Sequence, residues 1–329
     1  MSFIEVNNIS KAYKISQRKS GIPGMVANLI VPKYEKKEAV SDISFSIEKG
    51  EMVGFIGPNG AGKSTTIKML SGILYPDKGE IKVNGYIPYK QRKQYVGKIG
   101  VVFGQKSQLQ WDLPVKDSFE LLKAIYNIPN DVYAKNYDRF VEMLEMSGFI
   151  NQPVRQLSLG QRMRADIAAA LLHSPEIVFF DEPTIGVDVV GKESIRNFIK
   201  ELNREDKVTM IFTTHDMQDI EKTCNRLVII NDGSIIYDGG LNGIRQIHGA
   251  ERQIDVFFAG DESVAPIENV IKVDVDNRHK QFIFDSNKVS INDLMSHLLN
   301  SYSVKDINIS EPDIESIIRK IYNREKVLV

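Results

Sequence analysis

One cysteine in 329 residues excludes an internal disulfide. That cysteine, Cys224, lies in Glu221-Lys222-Thr223-Cys224-Asn225, where no metal-ligand cluster surrounds it, so it reads as structural and a cytosolic compartment is the simplest match. No stretch approaches the ~20 apolar residues that span a bilayer, so any membrane part is expected to come from other chains. Met1 to Ser10 carries Glu5 and lacks the basic-then-apolar pattern of a signal peptide. An excess of charge of one sign is also missing. Lys+Arg 42 against Asp+Glu 43 leaves a formal net charge of -1, and no bulk field draws the chain toward nucleic acid or an anionic membrane. What is present is ordinary for a globular protein, 42% hydrophobic and 26% charged residues, and the length suggests about two domains on a prior of ~150 residues each.

Against that plain background one stretch stands out, Gly57-Pro58-Asn59-Gly60-Ala61-Gly62-Lys63-Ser64-Thr65. It follows the apolar run Met52 to Ile56 and precedes Ile67 and Leu70 at helical spacing, ending at Gly72. Strand, glycine-rich turn and helix form the context in which backbone N–H groups turn inward around a polyphosphate, with the helix N-terminus adding a favourable dipole. Lys63 would reach the β- and γ-phosphates as a point charge, and Ser64 would place its hydroxyl on Mg²⁺.

Taken in order, Ile4 and Val6, then Ile43, Phe45 and Ile47, alternate with polar residues as half-buried antiparallel strands do. Between Gln17 and Lys37 a basic, Gly/Pro-containing stretch with an apolar patch reads as a surface loop or short amphipathic helix. Ile81 to Gly85 reads as a short strand and Ile99 to Phe103 as a buried one. Ser118 to Tyr126 and Val132 to Met146 form a helical insert, placed at about residues 112–160, and Arg162 to Leu172 forms an alanine-rich helix. Ile177 to Phe180 and Val208 to Phe212 are buried strands that end in Asp181-Glu182 and Thr213-Thr214-His215, the carboxyl ends at which open α/β sheets bind ligands. Leu227 to Tyr237 contains Asn231-Asp232-Gly233 and reads as a β-hairpin. Beyond about Leu241, strand-like runs, a helix near Leu294 to Leu299, a strand Val304 to Ile309 and a helix start at Ser310-Glu311-Pro312-Asp313 suggest a separate α+β domain over residues 241–329.

Over roughly Ser2 to Gly240 the chain resembles the nucleotide-binding subunits of ATP-binding cassette (ABC) transporters, because Leu157-Ser158-Leu159-Gly160-Gln161 matches that family's signature and precedes Ile177 to Glu182. The resemblance implies an α/β P-loop NTPase core of ABC ATPase type with an antiparallel β subdomain, a helical insert and an added C-terminal domain. It implies ATP and Mg²⁺ as cofactors. Asp181 would hold Mg²⁺ beside Ser64, and Glu182 would act as general base toward the attacking water. Gln105 matches the glutamine that senses Mg²⁺ and that water, His215 matches the histidine that contacts the γ-phosphate, and Asp188 falls where an aspartate crosses the dimer interface. Tyr13 fits the aromatic that stacks on adenine, with a structural tyrosine as the alternative. Ser158, Gly160 and Gln161 would bind the nucleotide of a second subunit, so two chains would meet head to tail. Leu159 departs from the commonest spelling, which has glycine there.

The resemblance further implies a peripheral subunit on the cytoplasmic face of the membrane, powering a separately encoded integral membrane permease. Gly57 to Thr66, Trp111-Asp112-Leu113-Pro114 and the C-terminal addition look most like the ABC-2 export type. An ABC ATPase acting on ribosomes or DNA is the alternative, but a single cassette with one cysteine and no coiled coil fits it poorly, and no nucleic-acid partner is expected. A P-loop GTPase would need Asn-Lys-x-Asp, and Asn287-Lys288-Val289-Ser290 lacks the aspartate. Trp111 is open to two readings, an anchor for the permease or a core residue packing the insert on the sheet.

Overall fold

The computed structural model describes residues 2–16, 34–104, 106–214, 216–248 and 251–310, with 314, 315, 317, 318, 321 and 322. The chain divides into two compact units, Met1–Asp238 and Gly239–Val329.

In the first unit β1 (Ile4–Ser16) and β2 (Tyr34–Ile47) form a long antiparallel ribbon, with Tyr13 opposite Lys37. The sequence placed Tyr34 to Lys37 in a surface loop, but their backbone continues the ladder to β1, so they are strand; the rest of that insertion lies outside the described residues. After β3 (Met52–Ile56) comes α1 (Lys63–Leu70), then β4 (Lys78–Val83), α2 (Arg92–Tyr95) and β5 (Ile99–Phe103). The insert holds α3 (Val115–Tyr126), which starts directly after Pro114, and α4 (Asn130–Met143). Next are α5 (Leu159–Leu171), β6 (Ile177–Asp181), α6 (Val189–Asp206), β7 (Thr209–Thr213), α7 (Met217–Thr223), β8 (Arg226–Asn231) and β9 (Ser234–Gly240). Between the last two strands, Asp232 and Gly233 both take positive φ, 44° and 81°, the backbone that a two-residue hairpin turn requires.

Two sheets share one core. A three-stranded antiparallel sheet runs β2-β1-β4, and a six-stranded sheet runs β5-β6-β7-β3-β8-β9, parallel from β5 through β8. Phe45 of the first sheet meets Phe55 of the second with ring centroids 5.6 Å apart, and Ile67, Met69 and Leu70 of α1 are buried in the same cluster. Continuous apolar strands are the expected signature of a parallel sheet covered on both faces, and every residue of β3 and β7 is buried. α5 begins three residues earlier than the sequence placed it, because Ser158 caps it and draws Leu159, Gly160 and Gln161 into its first turn.

The second unit opens with α8 (Leu241–His248). It continues with β10 (Glu251–Phe258), β11 (Val270–Asp274), β12 (His279–Asp285), α9 (Ile291–Ser301) and β13 (Val304–Ser310). Its sheet runs β11-β12-β10-β13, all antiparallel. Ile254, Val256, Phe258, Phe282 and Phe284 alternate onto one face, where Leu294 and Leu298 of α9 cover them. The expected helix start at Ser310 to Asp313 lies outside the described residues but for Ser310, which ends β13.

Candidate nucleotide site

Register places the site. Phe55 of β3 pairs with Thr213 of β7, Thr213 with Asp181 of β6, and Asp181 with Phe103 of β5. Four parallel strands therefore stop on one line, and the residues that follow them (Gly57, Thr214, Glu182 and Gly104) sit at the same edge. A cleft of about 800 Å³ opens there, lined by Gly57, Pro58, Asn59, Ser64, Asp181 and Glu182 among others.

The phosphate loop is shaped by its neighbours. Gly62 has φ 110°, and a Cβ there would lie 2.4 Å from the Ala39 carbonyl oxygen, so both backbone and space demand glycine. Lys63 is buried, and its ammonium donates to the carbonyls of Gly57 at 2.6 Å and Pro58 at 3.1 Å. Burial pushes the Lys63 ammonium below its ordinary range, while the Glu182 and Asp181 carboxylates act against that shift. Ser64 and Thr213 both donate to Oδ1 of Asp181, at 3.1 and 2.7 Å. Glu182 follows with φ 56°, its N–H donating to the Thr213 carbonyl at 3.0 Å and approaching the Thr213 hydroxyl at 3.3 Å. Lys63 and Ser64 at the start of α1 and Asp181 and Glu182 at the end of β6 are thus brought together, although Ser64 and Asp181 lie 117 residues apart in sequence.

The signature segment is elsewhere. Ser158 Oγ accepts from the Gln161 N–H at 3.2 Å, and the Gln161 side chain accepts from the Ser158 N–H at 2.9 Å, a reciprocal cap on α5. Ser158 is exposed, and none of Ser158, Gly160, Gln161 or Asp188 is among the described residues lining the cleft. Leu159 packs over Gly186. A Cβ on that glycine, whose φ is 69°, would lie 2.4 Å from Leu159 Cδ2, so the leucine at the unusual position fills the space that Gly186 leaves. Asp188 caps α6 by accepting from the Gly191 N–H at 2.7 Å, and beside it Val189 and Val190 are 79% and 74% exposed. Tyr13 is exposed on β1, whereas Gln105 and His215 lie outside the described residues.

Trp111 is 54% exposed, which overturns the core reading; Leu113, Leu121 and Ile125 are exposed near it in sequence. Arg155 donates from its N–H to the Trp111 carbonyl at 3.0 Å and pairs with Asp112 at 2.7 Å, and the Arg162 guanidinium stands 5.9 Å from the Trp111 ring. Sequence reading missed Asp166, buried on α5, which accepts from Ser107 Oγ at 2.8 Å and the Gln108 N–H at 3.0 Å. Burial pushes its carboxyl up to about 6, while those two bonds pull it back. It also missed Thr184, Arg196 and Asp219. An acidic residue inside a helical pattern was the only available signal for either acid.

The ABC transporter family profile matches residues 40–185. The ABC transporter ATP-binding protein NatA of Bacillus subtilis (strain 168) is 35% identical over 227 residues, covering 69% of this chain and 92% of NatA. This chain belongs to the ABC transporter ATP-binding family. The cassette is accordingly an ATPase whose fold is that of a P-loop NTPase core. The linearmycin resistance ATP-binding protein LnrL of the same bacterium is 31% identical over 312 residues, covering 91% of this chain and 98% of LnrL, so that likeness extends beyond the first unit. Among solved structures, the dimeric ATP-binding cassette MJ0796 in a post-hydrolysis state with ADP and Pi matches with TM-score 0.59 and 29% identity, covering 72% of this chain and 98% of its own.

Proposed function

We propose that two copies of this ATPase, or one copy and a close homologue, close head to tail around two ATP molecules and thereby drive an exporting permease from the cytoplasmic face of the membrane. One observation carries the reading: Ser64, Asp181 and Glu182 line the cleft, with Lys63 within electrostatic reach of both carboxylates, but the signature segment, whose Ser158 stands exposed at a helix N-terminus, lines none of it. A helix N-terminus favours an anion, so a second chain's phosphates are its natural complement. The exposed pair Val189 and Val190 beside Asp188 supplies apolar surface for such a contact. Export is supported by the name of the resistance relative that covers both units. Trp111 and Leu113 offer the permease an apolar anchor.

The donor set suits Mg²⁺. That ion keeps most of its ligands as water and phosphate oxygen and takes one or two protein oxygens; Ser64 Oγ and Asp181 Oδ1, 3.1 Å apart, supply two. Among the described residues no three His, Cys, Asp or Glu converge on a point, as a site built wholly from protein ligands would need. When bound, Mg²⁺ neutralises phosphate charge. Lys63 exchanges its carbonyl partners for phosphate oxygens, and the low polarity that lowers its proton affinity also strengthens its attraction to them. Glu182 accepts the proton of the attacking water. Gln105, His215 and Tyr13 join this reading through sequence resemblance, as the water sensor, the γ-phosphate contact and the adenine platform.

The test is Glu182→Gln. Turnover should fall on the order of 10²-fold to 10⁴-fold, since the amide keeps the shape but cannot take the proton, and an ATP-bound dimer should accumulate in light scattering. Near-normal steady-state hydrolysis would remove Glu182 from the role.

A further inference from the structure

Behind Glu182 lies a charged assembly that does not line the cleft. The left-handed backbone of Glu182, φ 56°, is costly for a residue with a Cβ and persists only where its surroundings impose it. On one side the Thr213 carbonyl holds its N–H at 3.0 Å. On the other, two residues along, Thr184 is buried and its hydroxyl donates to Oδ2 of Asp219 on α7. Asp219 has no exposed surface, and Arg196 of α6 donates to its Oδ1 through Nε at 2.5 Å and pairs with it again through Nη2. One turn earlier on α6, Lys192 pairs with Asp216 at 2.6 Å, and Asp216 caps α7 by accepting from the Gln218 N–H at 3.0 Å. Two cations thus face two carboxylates, the condition under which buried charge is tolerated.

We infer that the buried Arg196–Asp219 pair is a positioning unit which, through the Thr184 hydroxyl, holds the backbone of Glu182 in its left-handed turn and so fixes where its carboxylate enters the cleft. The inference rests on Glu182 being the base, and neither member of the pair touches the reacting atoms. α6 also carries Asp188 at its N-cap, and α7 starts two residues past His215, so the same pair ties together the segments that flank the site.

Thr184→Val and Thr184→Ser in the full chain separate positioning from plain packing. Valine keeps the shape and loses the hydroxyl, and serine keeps the hydroxyl. With a misplaced base, kcat should fall on the order of 10-fold to 100-fold in Thr184→Val while the KM for ATP stays within about threefold, and Thr184→Ser should recover most of the rate. Should valine prevent folding, Thr184→Ala against Thr184→Ser makes the same comparison. A normal kcat without the hydroxyl overturns the inference, and so does a serine variant as slow as the valine one. Glu182→Gln assayed alongside keeps the two claims apart. If it turns over normally the base assignment fails; if it is inactive while Thr184→Val is normal, only the positioning role fails.

Discussion

The phosphate loop and the signature segment belong to one compact unit, yet they are built on opposite terms. Around the loop the charged groups are held by neutral partners: Lys63 is buried on two carbonyls, and Asp181 accepts from Ser64 and Thr213. At the signature the chain satisfies only itself, with Ser158 and Gln161 capping their own helix at its exposed end. On the proposed reading one half would hold phosphate and Mg²⁺, while the other presents a helix N-terminus outward. If the proposed head-to-tail assembly holds, each chain supplies two incomplete halves, and hydrolysis should wait for a second chain.

Variants can break this contrast. The largest effect is expected from Glu182→Gln, described above, which touches chemistry alone. Lys63→Ala should come next, weakening ATP binding by roughly 1.5–3 kcal/mol because it deletes a charge-assisted contact in a buried setting; calorimetry giving an unchanged affinity would show that the loop binds phosphate without it. Asp166→Asn tests a group that ties the signature helix α5 to the segment after β5. The Asp166 carboxyl sits at about 6 against an ordinary 3.8, so between those values the folded chain keeps a proton that the unfolded chain has lost. Its contribution to stability therefore falls as pH rises from about 4 to 6, by at most about 3 kcal/mol, and stays unfavourable above that range. Melting curves of wild type should decline with pH relative to Asp166→Asn across that window, and parallel curves would contradict the shift. Trp111→Ala should leave the fold and ATP binding intact, because the ring is exposed, yet weaken permease association by about 2 kcal/mol, as removal of an interface anchor does. A lowered melting temperature with an unchanged pull-down would sink the docking role.

The two halves also differed in how far the sequence revealed them. Gly57 to Thr65 and Asp181-Glu182 are local words, and an apolar run before each put them at strand ends without further help. The signature segment reads in the sequence as the opening of the helix that follows it, and the structure agrees; what stayed unread is the reciprocal cap between Ser158 and Gln161. Nothing local joins Ser107 to Asp166 or Thr184 to Asp219, pairs 59 and 35 residues apart that meet only when strands and helices have packed. α6 was passed over although Ile195, Phe198, Ile199 and Leu202 keep helical spacing behind the Asp188 cap. Trp111 shows the limit from the other side, since composition argues equally for core and interface, and exposure alone decided.

In the proposed assembly Ser158 serves a neighbour's nucleotide rather than its own. Ser158→Arg placed in the Glu182→Gln chain addresses it directly, by measuring ATP affinity of the monomer and the ATP-dependent dimer in one sample. Affinity of the monomer should be unchanged and the dimer lost, because the arginine obstructs only the surface offered to the second chain. A monomer that no longer binds ATP, or a dimer that forms as before, would contradict the shared site.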